Sequence, residues 1–237
     1  MQPQPLFQRA CEAPKVLTFS PLAWLKLQFF CHLGDTEIGG FGISAEHDSL
    51  YIQDFVTVRQ QVTPVTVRFD DAAVADWFDR CVDQGLAPSA FARVWLHTHP
   101  GESFTPSSTD EETFDCVFGR CDWALMFILS RTGRTYARLS FSAGPRGFLL
   151  LPVEVDWSAW PDTLISAAGV LDTYVQQWRQ EFAANIDVLP VVFFSPADAS
   201  TDRLSGDVAW SGRERSDAEF NDFLDAFTQE DLHHEHF

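Results

Sequence analysis

The chain has 237 residues, 46% of them hydrophobic, with 22 Phe and 8 Trp, which is enough apolar mass to bury a large core and excludes wholesale disorder. Its formal charge of −18 excludes nucleic acid as a partner, because phosphate binding needs a basic surface. The same acidity suits a basic peptide tail or simply keeps the protein soluble.

Lys15 to Phe19 reads as a strand, and Ser20 can cap a helix with Pro21 in its first turn that ends near Gly34. Glu37 to Ile43 reads as a strand broken by glycines. Leu50 to Val58 and Val65 to Phe69 are further strands, rich in Val, Thr and Phe. Asp70 or Asp71 caps a helix through Ala75, Phe78 and Val82, with Gly85 past its end. Phe91 to His97 is expected as a strand stopping by Pro100, followed by a loop and a helix from near Ser107 to about Phe118. Trp123 to Ser130, Thr135 to Phe141 and Gly147 to Val155 complete a mixed α/β domain. Pro161 to Ile186 then reads as one long helix, Val188 to Phe194 as a strand, Ala197 to Gly212 as a polar loop and Glu214 to Leu232 as an acidic helix. The chain divides into a domain over 15–155 and an extension over 156–237, packed on that domain at least in part.

Neither end of this reading calls for a membrane. The longest purely apolar stretch, Trp123 to Leu129, is far shorter than the roughly 20 residues that span a bilayer. The first 15 residues lack a basic start followed by an apolar block, so no secretory signal is expected. Five irregularly spaced Cys read as reduced thiols in a cytoplasmic protein.

The chemistry concentrates in WLHTHPGESFTPSSTDEETF, residues 95–114. His97 and His99 are two apart on a strand, so both imidazoles point to one face. Asp110 lies in the first turn of the next helix, and Ser107, three residues earlier, shares its face. Two imidazoles and one carboxylate are the ligand set of catalytic zinc, which keeps a fourth position for water. Such a site also needs a base beside it, a task that suits a carboxylate.

His97-Thr98-His99-Pro100 followed by Ser107-x-x-Asp110 resembles the JAMM motif of MPN+ domain metalloproteases, with the same ten residues between His99 and Asp110. Glu37-Ile38-Gly39-Gly40 resembles that family's upstream Glu-containing strand. The resemblance covers roughly residues 15–155. It implies an MPN-type, cytidine-deaminase-like curved sheet flanked by helices. It also implies zinc on His97, His99 and Asp110, Glu37 as general base, and Ser107 as donor to the oxyanion of the tetrahedral intermediate. Similar proteins cleave peptide or isopeptide bonds at the C-termini of ubiquitin-like proteins.

Alternatives stay open at this stage. Glu46 or Glu102 could supply the base, and Ser107 could be only a helix cap. The substrate could instead be a small amide or amino-acid adduct on a sulfur-carrier protein. The chain could also be a non-catalytic MPN scaffold, although such scaffolds generally lack the ligands this chain keeps. Deamination is rejected, because the His-x-Glu and Pro-Cys-x-x-Cys signature is missing. Trp157, Trp160, Tyr174 and Trp178 read as packing residues, and His233, His234 and His236 as part of a frayed tail.

Overall fold

A computed structural model describes residues 15–160 and 168–190. The start of the long expected helix, the run from Val191, the polar loop, the acidic helix and the terminal His cluster lie outside the described residues. In chain order the elements are β1 (Leu17–Phe19), α1 (Pro21–Leu33), β2 (Ile38–Ala45), β3 (Asp48–Val56), β4 (Gln60–Thr63), β5 (Thr66–Phe69), α2 (Asp71–Asp83) and α3 (Pro88–Phe91). They continue with β6 (Val94–His99), α4 (Ser108–Phe118), β7 (Trp123–Ser130), β8 (Thr135–Phe141), β9 (Gly147–Leu150) and β10 (Val153–Val155). A 3-10 turn (Trp157–Ala159), α5 (Ala168–Asn185) and β11 (Ile186–Val188) follow.

Local chemistry explains several boundaries. Ser20 accepts a hydrogen bond from Ala23 N at 3.2 Å and starts α1, while Asp70 accepts from Ala73 N at 2.9 Å and starts α2. α1 is apolar nearly all round because it is buried nearly all round. The strand expected from Phe91 begins three residues later, because Pro88 opens a short helix through Phe91.

The main sheet has the order β10-β1-β3-β2-β6-β7-β8-β9. Pairing is parallel between β1 and β10, β1 and β3, and β6 and β7. The other neighbours pair antiparallel. The stretch expected as one strand from Gly147 to Val155 is two strands at opposite ends of this order. Only Leu151 and Pro152 separate them, a link of about 10 Å at most, so the sheet must curl until its ends approach. Leu151 N donates to Ala137 O (3.0 Å) on one side and Leu17 N to Pro152 O (2.9 Å) on the other.

A second, three-stranded sheet, β11-β4-β5, was not expected. Gln60-Gln61-Val62-Thr63 carries little apolar signal of its own. β4 is held by the hairpin with β5 and by parallel pairing of Gln60, Gln61 and Val62 with Ile186, Asp187 and Val188.

The main sheet buries both faces. On one, Leu96, Leu125, Phe127 and Leu129 pack with Phe29 and Phe30 of α1 and with Val175 and Trp178 of α5. On the other, Phe41, Trp95, Met126 and Ile128 pack with Trp77 of α2, Phe91 of α3, and Phe114 and Phe118 of α4. The architecture is a mixed α/β fold with a curled, mixed sheet between helices. Trp178 stands 5.6 Å from Phe29 and 6.1 Å from Tyr174, ring to ring, so α5 contributes to the core. No helix among the described residues is long and apolar enough to cross a membrane.

Candidate metal centre

β6 is central and buried along its whole length. Alternation sends Val94, Leu96 and Thr98 to the α1 face and Trp95, His97 and His99 to the α4 face. Trp95 stacks on His97 with ring centroids 4.4 Å apart and fixes the plane of that ring. The strand runs through His99, two residues beyond the expected end, so both histidines sit on regular backbone.

α4 brings the third group. Ser107 is its N-cap, with Ser107 Oγ accepting from Asp110 N (3.2 Å) and Ser107 N donating to Asp110 Oδ2 (2.7 Å). This reciprocal capping box turns the Asp110 side chain back toward the helix start. Ser107 Oγ also lies 2.8 Å from Asp110 Oδ2 and donates to it. With Oδ2 so engaged, Oδ1 faces His97 Nε2 at 3.4 Å, and His99 Nε2 stands 3.7 Å from Oδ2.

Glu37 arrives from β2. Ile38 pairs with Thr98 and Gly39 with His97 in the antiparallel register, which sets Glu37 opposite His99. Its Oε1 lies 3.6 Å from His99 Nε2, and the residue is 7% exposed. The Glu37 amide donates to Thr63 O (2.9 Å), and Gln60 brackets Gly39 by accepting from Gly39 N (2.9 Å) and donating to Gly39 O (2.8 Å). The hairpin β4–β5 thus clamps the backbone that delivers Glu37. Gly39 is required there, because a Cβ would come within 2.9 Å of Phe69 and Val67. Glu46 is exposed at the far end of β2, and Glu102 is exposed on the loop after His99, so of the three carboxylates considered Glu37 is the one against the histidines.

The electrostatics follow from burial. It holds the His97 ring below the usual histidine range, against the pull of Asp110. His99 is desolvated as well, but Asp110, Glu37 and the Ser103 carbonyl together raise it. Desolvation pushes the Asp110 carboxyl up, yet the two imidazoles and the Ser107 amide win and hold it well below the usual carboxylate range. Burial pushes the Glu37 carboxyl up to about 8, with His99 opposing and Asp110 reinforcing.

The donor set fits a metal ion. One ligand atom from each of His97, His99 and Asp110 lies within 4.8 Å of the others. Both nitrogens of His97 and Nε2 of His99 are buried without a hydrogen-bond partner, a costly state for a polar group unless something binds it. His99 Nδ1 is 2.9 Å from Ser103 O. That contact places the ring proton on Nδ1 and leaves the Nε2 lone pair facing the cluster. Atoms that ligate tetrahedral zinc at roughly 2.0–2.1 Å stand about 3.4 Å from one another; His97 Nε2 and Asp110 Oδ1 stand at that distance, and the whole set lies within 4.8 Å. His97, His99 and Asp110 form a buried group able to hold a metal ion, and Glu37 borders it.

Sequence reasoning missed the supporting residues. Trp95 was within its reach, being two before His97 on the same strand face. Gln60, Thr63 and Ser103 carry no local signal, since two of them act through the strand register and the third through a main-chain carbonyl. No protein-family model matches this chain, and no curated protein matches it, so its functional assignment rests on its own residues.

Proposed function

We propose that this protein is a zinc-dependent hydrolase of the JAMM type, with an MPN-like fold, that cuts a peptide or isopeptide bond at the C-terminus of a ubiquitin-like protein. The observation that carries the reading is the pair of buried imidazole nitrogens, neither making a hydrogen bond, that converge with Asp110 beside a second carboxylate, Glu37. Three nitrogen and oxygen ligands are the set of catalytic rather than structural zinc. When bound, the metal supplies Lewis acidity toward the scissile carbonyl.

The chain's own groups do the rest. Glu37, which the positive charge of a bound metal would keep ionised, takes a proton from the attacking water and delivers it to the leaving amine, so the C–N bond breaks while hydroxyl adds to the carbonyl carbon. Ser107 has two tasks. It holds Asp110 in place through the capping box, and its hydroxyl, which donates to Oδ2 in the free site, rotates to donate to the oxyanion. The acidic surface attracts a basic C-terminal tail. The complete ligand set speaks against a non-catalytic scaffold.

The test is elemental analysis of untagged protein together with cleavage of ubiquitin-like proteins that carry a C-terminal fluorogenic amide. The expected result is about one zinc per chain, and turnover lost on chelation, restored by zinc and absent in Glu37→Gln. Metal content near zero after zinc supplementation would overturn the reading. So would undiminished cleavage by Glu37→Gln.

A further inference from the structure

The loop from Pro100 to Pro106 joins the two metal-ligating segments and also orients one of the ligands, since the Ser103 carbonyl lies 2.9 Å from His99 Nδ1. Ser103 itself is exposed, so its own burial does not explain why its carbonyl stays there. The next residue is Phe104. The guanidinium carbon of Arg134 stands 3.8 Å above the centroid of its ring, a cation–π contact at short range.

Arg134 projects from the turn between β7 and β8, and that turn is fixed. Gly133 takes a left-handed conformation with φ of +78° and donates its N–H to Ser130 O at 2.9 Å. The Ser130 amide and hydroxyl both donate to Arg134 O, at 2.9 and 3.1 Å. The Arg131 amide donates to His99 O at 3.0 Å and to Gly101 O at 3.2 Å. Its guanidinium reaches the Asp35 carboxylate at 2.7 Å and donates to the Gly34 carbonyl, tying the turn to the end of α1. One face of the turn therefore grips the end of β6, and Arg134 grips the loop five residues further on.

We propose that the β7–β8 turn is the anchor of the metal centre, with Arg134 clamping Phe104 so that the Ser103 carbonyl stays on His99 Nδ1 and Nε2 stays aimed at the cluster. Arg134 and Phe104 are positioning residues and contribute no ligand atom. The second half of this inference, that the clamp sets metal affinity, rests on the metal reading above. The first half, that it sets the orientation and tautomer of the His99 ring, does not.

The experiment uses the full chain as wild type, Arg134→Ala, Phe104→Leu and Arg134→Lys. In metal-free protein, 15N NMR of the His99 ring reports which nitrogen carries the proton. Zinc affinity follows from competition with a chromophoric chelator. Wild type should show a protonated Nδ1, and Arg134→Ala and Phe104→Leu should lose that single state. The same two variants should bind zinc about 2-fold to 5-fold more weakly, the range an exposed cation–π contact can supply. Arg134→Lys, which keeps a cation over the ring, should recover most of both. Wild-type ring signals and wild-type affinity in Arg134→Ala and Phe104→Leu would overturn the proposal. If wild type binds no zinc, the metal reading fails, while the His99 signals still decide the clamp.

Discussion

Two polar clusters lie one on each face of the main sheet, the first partly buried and the second buried, and they are built on opposite principles. Under α5, Lys26 Nζ meets Glu181 Oε2 at 2.8 Å and Asp54 Oδ1 at 3.3 Å. Glu181 Oε1 accepts from the Thr57 amide and hydroxyl at 2.9 and 2.8 Å, and Asn185 donates to Thr57 O and Oγ1 at 3.0 Å. Each of those groups has a partner within the chain. Under α4, three imidazole nitrogens make no hydrogen bond, and two of them face carboxylates only at 3.4–3.7 Å. Burial of a polar group without a partner is unfavourable by roughly 1–3 kcal/mol, so the first cluster reads as structure and the second as a place for something else. The lesson is that burial alone does not mark a site. Burial with unmet bonding capacity on several converging ligand atoms does.

The sharpest way to break that contrast is the reaction. Glu37→Gln keeps the shape and removes the base, so turnover should fall by about 10²-fold to 10⁴-fold with zinc content unchanged. Steady-state kinetics with elemental analysis checks it, and retained turnover would return Glu37 to the class of structural acids.

Stability should separate the clusters in the opposite sense. Lys26→Met leaves Glu181 and Asp54 without their cation and should cost about 2–3 kcal/mol in urea unfolding. That is less than for a fully buried pair, because the Glu181 side chain keeps 22% exposure. His97→Phe keeps the ring on Trp95 and removes two buried nitrogens that make no hydrogen bond, so in metal-free protein it should be neutral or stabilising, by up to about 3 kcal/mol. Equal losses in the two variants would erase the distinction.

Ser107→Ala tests the border between the two kinds of role. Loss of the cap should cost about 1 kcal/mol. Loss of the hydroxyl bond to Asp110 Oδ2 should weaken zinc binding by about tenfold as well, an effect seen by chelator competition. The 2.8 Å contact with Asp110 is what ties zinc content to this residue.

The smallest effect concerns Cys31, whose Sγ packs against the carbonyls of Leu129 and His99 at 3.8 and 4.0 Å. Burial pushes its thiol up to about 12, so at pH 8 roughly one molecule in 10⁴ carries a thiolate there. Iodoacetamide should therefore label exposed Cys116 and leave Cys31 intact, as read by peptide mass spectrometry. Rapid labelling of Cys31 in native protein would mean that the end of β6 opens and that the site is less pre-formed than its geometry implies.

Much of the site was legible in the sequence wherever one element carries the geometry. His97 and His99 share a face because strand side chains alternate, and Ser107 meets Asp110 because a helix start brings residues three apart together. Mixed α/β character followed from the same periodicities. Boundaries slipped where a neighbour decided them. Gly147 to Val155 looks like one apolar strand, yet Pro152 and the curl of the sheet divide it between two edges.

What the sequence determined by itself is the identity and local spacing of the donors: two imidazoles on one strand face, and a carboxylate locked into its own capping box. What only the tertiary structure decided is which distant groups meet them. Glu37 stands opposite His99 because β2 pairs with β6 in one register and because Gln60 and Thr63 hold that strand from a second sheet. The reason is physical: periodicity constrains directions within an element, whereas register between elements is selected by packing on both faces of a sheet at once.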